Sequence, residues 1–119
     1  MKAISRVIPE LEGKVDGMAF RVPVPTVSCI DLVAELGKNI TAQEVNDMFK
    51  KYETEKMKGI LGTTNDEVVS VDFRRDSRSS IVDLLSTKVL MGNKIKVISW
   101  YDNEWGYVSR IKDLISWFK

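Results

Sequence analysis

The closing fifth of this chain places the strongest constraint on its fold. A β-branched and aromatic run, Lys96-Val97-Ile98-Ser99-Trp100-Tyr101, passes through Asp102, Asn103 and Glu104 into Trp105-Gly106-Tyr107. Beyond it Ile111, Leu114, Ile115 and Phe118 fall at helical spacing. A strand that hands over to an amphipathic helix within three polar residues requires a structure containing both. It also puts Asn103 and Glu104 at a strand end and helix start, a common position for ligand contacts.

The rest of the chain supplies partners for that strand. Ile4, Val7, Ile8 and Leu11 mark a first helix, which Pro9 should end near Val7 or Ile8. Gly13 to Gly17 reads as a turn, followed by a short strand from Met18 to Val22. From Val27 to Leu36 the residues alternate. Ile30, Leu32, Ala34 and Leu36 share one face, expected to be dry, and Val27, Cys29, Asp31, Val33 and Glu35 share the other. Thr41 with Glu44 forms a capping box ahead of the stripe Val45, Met48, Phe49 and Tyr52. Gly59 to Gly62 is a short buried segment, and Val69, Val71 and Phe73 alternate as a further strand. Ser80 to Leu84 is extended. Thr87 to Leu90 and Ile95 to Tyr101 form a hairpin closed by Met91-Gly92-Asn93-Lys94. Several strands joined by short turns predict an α+β fold: a mixed, largely antiparallel sheet with helices packed on one face. Residues 1–119 read as a single domain with no repeats.

Charge and composition exclude several functions. Eighteen basic and seventeen acidic residues leave a net charge of +1, so no bulk field favours nucleic acid or a membrane surface. No stretch approaches the roughly 18 apolar residues of a membrane span, and the N-terminus has no signal-peptide pattern. The single cysteine, Cys29, rules out an internal disulfide and fits a reducing, cytoplasmic setting. Arg74-Arg75-Asp76-Ser77-Arg78 is read as a solvated turn, with a small anion site as the alternative.

Catalytic groups are scarce. The chain has no histidine, hence no common general base. Cys29 lies within a strand and is expected to pack in a core or interface, inert as a thiol. Nothing supports Asp31 and Asp72 as a carboxylate pair, no Cys/His set has metal spacing, and Gly59-Ile60-Leu61-Gly62 is too apolar for a phosphate loop. On residue type alone, Arg21 is an ordinary strand-edge cation or a phosphate ligand through its planar fork. Asn103 is a helix cap, a role Asp102 could equally take, or an amide-recognition group. Tyr107 is a packing anchor or a ligand contact.

Seven segments in order resemble phosphorylating glyceraldehyde-3-phosphate dehydrogenases, most closely the bacterial and plastid members. They are Lys2 to Leu11, Gly17 to Pro23, Val27 to Leu32, Lys58 to Gly62, Val69 to Phe73, Ser79 to Asp83 and Trp100 to Tyr107. The resemblance covers essentially the whole chain, yet only the C-terminal part of that family's catalytic domain, roughly a third of the enzyme. It implies that the dinucleotide-binding domain, the nucleophilic cysteine and its histidine all lie upstream of Met1.

By the same resemblance, Arg21 matches the arginine that grips the phosphate of the aldehyde substrate. Asn103 matches the asparagine that holds the nicotinamide carboxamide of NAD, and Tyr107 an aromatic residue near the cofactor. The family reaction oxidises the aldehyde through a thioester, passes hydride to NAD and releases an acyl phosphate. This chain is therefore expected to be part of such an oxidoreductase, inactive alone and unable to bind NAD tightly. The alternative is a non-catalytic interaction module that kept the fold. Expected partners are a second copy, since the family's sheet surface builds homotetramer contacts, or a companion chain with a dinucleotide-binding domain.

Overall fold

A computed structural model describes residues 2–118. A helix over Lys2–Val7 (α1) stops at Ile8, which precedes Pro9 and takes a non-helical backbone (φ −129°, ψ 84°). A 3₁₀ turn over Pro9–Leu11 follows. The strand Ser28–Glu35 (β1) leads to the helix Ala42–Thr54 (α2), then to the short strand Leu61–Thr64 (β2). The long strand Ser80–Leu90 (β3), the strand Lys94–Tyr101 (β4) and the helix Trp105–Ser116 (α3) complete the chain.

The strands form one sheet in the order β1-β4-β3-β2. β1 pairs antiparallel with β4, β4 antiparallel with β3, and β2 parallel with β3. The sheet is mixed and largely antiparallel, as the spacing of strands and turns predicts. Met91 (φ 53°) and Gly92 (φ 82°), both left-handed, turn β3 into β4. β3 runs through the two extended segments read from the sequence. The pairing shifts between Asp83 and Lys88, where the buried Asp83 carboxylate accepts the Leu85 and Ser86 amides at 3.1 Å each. That carboxylate supplies the hydrogen bonds that an interrupted ladder leaves unmade.

Consecutive residues of β3 build two separate cores. Val82 and Leu84 point to one face, where they pack with Val97, Leu61 and Val45 of α2. The reciprocal box between Thr41 and Glu44 starts α2, with the Thr41 amide donating to Glu44 at 2.7 Å. Asn46 ties the helix to β3 by donating to the Leu84 carbonyl at 3.0 Å. Ile81 points to the opposite face and packs with Val27 and Phe73. There Phe73 stacks on Trp100 with ring centroids 5.9 Å apart. Each fully buried aliphatic side chain contributes about 1.5–3 kcal/mol relative to exposure.

Three expectations from the sequence are corrected. Met18 to Val22 is not a strand: it lies in an irregular stretch whose side chains are exposed, because no neighbouring strand pairs with it. Ser70–Phe73 is a 3₁₀ turn, not a strand. The Asp72 carboxylate accepts the Val69 amide at 2.8 Å, a local bond that competes with sheet pairing. The face of β1 expected to be dry is half open, with Ile30 49% and Leu32 46% exposed. α2 lies over β2 and β3 and stops short of β1.

Candidate functional site

The junction between β4 and α3 is organised by Asp102. This carboxylate is 5% exposed. One oxygen accepts the Glu104 and Trp105 amides at 3.1 and 2.9 Å, satisfying the first turn of α3. The other accepts the Arg75 amide at 2.8 Å, drawing in the loop after the 3₁₀ turn. Burial pushes the Asp102 pKa up, but the three backbone donors, with Arg74 nearby, outweigh it and hold the carboxyl below its ordinary range.

Gly106 makes this junction possible. A Cβ built on it would lie 3.0 Å from the Arg78 carbonyl oxygen, so any other residue would have to push aside the backbone that leads into β3.

With Asp102 serving as the cap, the Asn103 side chain is left exposed at the turn. Its amide offers a donor and an acceptor to solvent or to a ligand. Tyr107, in the first turn of α3, is 67% exposed and does not serve as a packing anchor among the described residues. Arg21 stands elsewhere, on the irregular stretch before β1, exposed and without an ion pair among the described residues. The fold thus brings Asn103 and Tyr107 to one helix start and leaves Arg21 on a separate segment.

The remaining candidates resolve into structural roles. Asp31 pairs with Lys96 at 2.8 Å while Asp72 holds the Val69 amide, so the two carboxylates do not form a site. Arg78 donates through Nε to Asp76 at 3.0 Å, and the Arg75 amide is taken by Asp102. The arginine-rich run is therefore a braced loop. Cys29 is exposed on the mixed face of β1, which excludes the core half of the expected core-or-interface packing. Partial burial, then the charges of Asp31 and Asp83, push its thiol pKa up, against a reactive thiolate. No group of three His, Cys, Asp or Glu among the described residues could hold a metal.

Sequence reasoning missed one feature, a cleft of about 580 Å³ between α3 and the turn before β2, lined by Lys58, Ser77, Arg110, Lys112, Asp113 and Trp117 among others. Arg110 is fixed there by Asp113 at 2.8 Å and by the Ser79 hydroxyl at 3.0 Å. The i, i+3 spacing of Arg110 and Asp113 was the readable signal. Asn103, Tyr107 and Arg21 do not line this cleft.

Residues 1–103 match the family model described as glyceraldehyde 3-phosphate dehydrogenase, C-terminal domain. The chain belongs to that family. Its sequence is 52% identical over 113 residues to a glyceraldehyde-3-phosphate dehydrogenase of Priestia megaterium, covering 95% of this chain and 34% of that protein. It is 51% identical over 116 residues to glyceraldehyde-3-phosphate dehydrogenase 1 of Bacillus subtilis, covering 98% of this chain and 35% of that protein. Glyceraldehyde-3-phosphate dehydrogenase 2 of Staphylococcus aureus matches at 51% over 113 residues, 95% of this chain and 32% of its own length. The chain therefore spans about a third of the relatives it matches. Its mixed sheet and helices agree with a glyceraldehyde-3-phosphate dehydrogenase C-terminal domain. No helix among the described residues is long and apolar enough to cross a membrane.

Proposed function

We propose that this chain is the C-terminal catalytic-domain portion of an NAD-dependent glyceraldehyde-3-phosphate dehydrogenase, inactive alone and working in the cytoplasm with a companion that carries the dinucleotide fold. The observation that carries this reading is the 51–52% identity maintained over nearly the whole chain against a third of each relative. In it, Arg21 holds the substrate phosphate through its guanidinium, and Asn103 meets the carboxamide of the nicotinamide with Tyr107 beside it.

Asn103 and Tyr107 are exposed and lie outside the cleft, so they contribute contacts to a cofactor that other residues must enclose. A few hydrogen bonds netting about 0.5–1.5 kcal/mol each do not offset the several kcal/mol that association costs. Calorimetry on the chain alone is expected to show no NAD binding in the micromolar range.

The deciding experiment is reconstitution. The chain alone should form no NADH from glyceraldehyde 3-phosphate and phosphate. Mixed with a polypeptide bearing the dinucleotide fold, a nucleophilic cysteine and a histidine, it should gain activity. Arg21→Ala should then lower kcat/KM about 10- to 100-fold, the loss of a charge-assisted phosphate contact. NADH formation by the chain alone, abolished by Cys29→Ser, would overturn the reading.

A second reading, a non-catalytic module that assembles with itself, is favoured by the exposed apolar residues of β1 and of α3, including Ile30, Leu32, Val33 and Ile115.

A further inference from the structure

Three residues other than glycine have a left-handed backbone among the described residues: Val27 (φ 70°), Arg75 (φ 65°) and Met91 (φ 53°). Arg75 and Met91 are unbranched, exposed and set in turns, where this conformation is cheapest. Val27 differs on each count. It is β-branched, 4% exposed and placed directly before β1. A branched Cβ crowds the backbone at this φ, so the conformation persists only where the surrounding structure demands it.

The sheet register shows what demands it. β1 and β4 pair as far as Ser28 and Tyr101, so an extended Val27 would carry the chain on opposite Asp102. The Arg75 loop and the start of α3 already converge on that residue. A left-handed Val27 turns the chain away from them. Its own side chain stays seated in the core with Ile81 and with Phe73, which is stacked on Trp100. The torsion φ turns about the N–Cα bond. With the Val27 side chain buried and β1 paired, it therefore sets only the direction in which the preceding residues leave the sheet.

Those residues make a stiff arm, Arg21-Val22-Pro23-Val24-Pro25-Thr26. Each proline ring fixes its own φ and confines the residue before it to extended backbone. The Val24 amide donates to the Val22 carbonyl at 2.8 Å, closing a γ-turn about Pro23. Proline-spaced segments keep their direction over several residues, so an aim set at Val27 reaches Arg21 at the tip.

We propose that Val27 is the positioning residue for Arg21, a strained pivot anchored in the core that aims the guanidinium through the proline-stiffened arm. The consequence for catalysis rests on the reading of Arg21 as the phosphate ligand given above; the geometry of the pivot does not.

Strain at the pivot has a signature in stability. Glycine accepts a φ of 70° and alanine resists it. Val27→Gly should therefore melt at or above Val27→Ala, the reverse of their order at an unstrained position. A clearly higher melting temperature for Val27→Ala would overturn the proposal. Spin labels at Arg21→Cys and at Lys51→Cys, an exposed position on α2, should give one narrow distance distribution in a Cys29→Ser background. Adding Val27→Gly should widen it about two-fold, because glycine frees the pivot. Equal widths, narrow or broad, would overturn the proposal. In the reconstituted enzyme, Val27→Gly should lower kcat/KM about 10-fold with Arg21 present and leave it unchanged in an Arg21→Ala background. An equal loss in both backgrounds would make Val27 a structural residue only and overturn the proposal. Should reconstitution yield no activity, the functional reading fails and the label distances decide the pivot. Should Val27→Gly not fold, Pro23→Ala with Pro25→Ala loosens the arm without touching the core and must widen the same distribution; an unchanged width would overturn the proposal.

Discussion

The Asp102 carboxylate accepts the Arg75 backbone amide at 2.8 Å while its other oxygen holds the Trp105 amide at 2.9 Å. One buried side chain therefore ties together the loop after the 3₁₀ turn, the end of β4 and the start of α3. The exposed Asn103 and Tyr107 take their positions from this tie rather than from contacts of their own.

Asp102→Ala orphans three backbone donors and should cost about 3 kcal/mol by denaturant unfolding. The pH dependence follows from the lowered folded-state pKa. A carboxyl whose pKa falls on folding stabilises fully above its unfolded value of about 3.9. That contribution disappears as pH drops through the lower folded value. The stability gap between wild type and Asp102→Asn should be flat near neutrality and shrink below about pH 4. A gap that stayed constant into strong acid would count against the ionised carboxylate as its source.

Gly106→Ala should destabilise the chain by about 1–2 kcal/mol even though alanine is the better helix former. The added Cβ meets the Arg78 carbonyl oxygen at 3.0 Å, and backbone cannot step aside cheaply. Gly37, with nothing within 4 Å, is the control: Gly37→Ala should leave the melting temperature nearly unchanged. Equal effects at both positions would remove close approach as the reason for Gly106.

Phe73→Ala should cost about 3–5 kcal/mol, the range for deleting a buried aromatic ring. It also removes the stacked partner of Trp100, so the near-ultraviolet circular dichroism of that indole should collapse while far-ultraviolet signals persist under stabilising conditions. A mild effect would mean that Val27 and Val68 refill the space.

Arg21→Ala should leave stability within about 0.5 kcal/mol of wild type, as exposed substitutions without partners do. The same change is expected to matter in the reconstituted enzyme. A large loss of stability in the chain alone would reassign Arg21 to a structural role.

The sequence was most legible where local chemistry and tertiary packing agreed. Thr41 and Glu44 close the capping box that starts α2, and Val45 of its stripe reaches the core. The hairpin read as closing through Met91-Gly92-Asn93-Lys94 joins β3 to β4, with Lys94 already the first residue of β4. Legibility failed where the outcome depended on neighbours. Met18 to Val22 has β-forming residues but no adjacent strand, and Asp72 diverts the Val69–Phe73 segment into a turn. The alternation of β1 identified its faces but not how far α2 would reach across the sheet. The site residues were readable only through the family resemblance. Residue type left Asn103 as a cap or a ligand contact, and the choice fell to Asp102 because its carboxylate reaches both the helix and the Arg75 amide.

Ile81 and Val82 are consecutive residues, 0% and 1% exposed, and each belongs to a different core. β3 therefore cannot open on one face while the other stays shut, and neither core can loosen without dragging the same backbone into water. Deuterium should reach the central amides of β3 only when the whole molecule unfolds, while those of β1, paired on one side alone among the described residues, exchange through cheap local opening. The sheet keeps time at two rates, slow along its spine and fast at the margin.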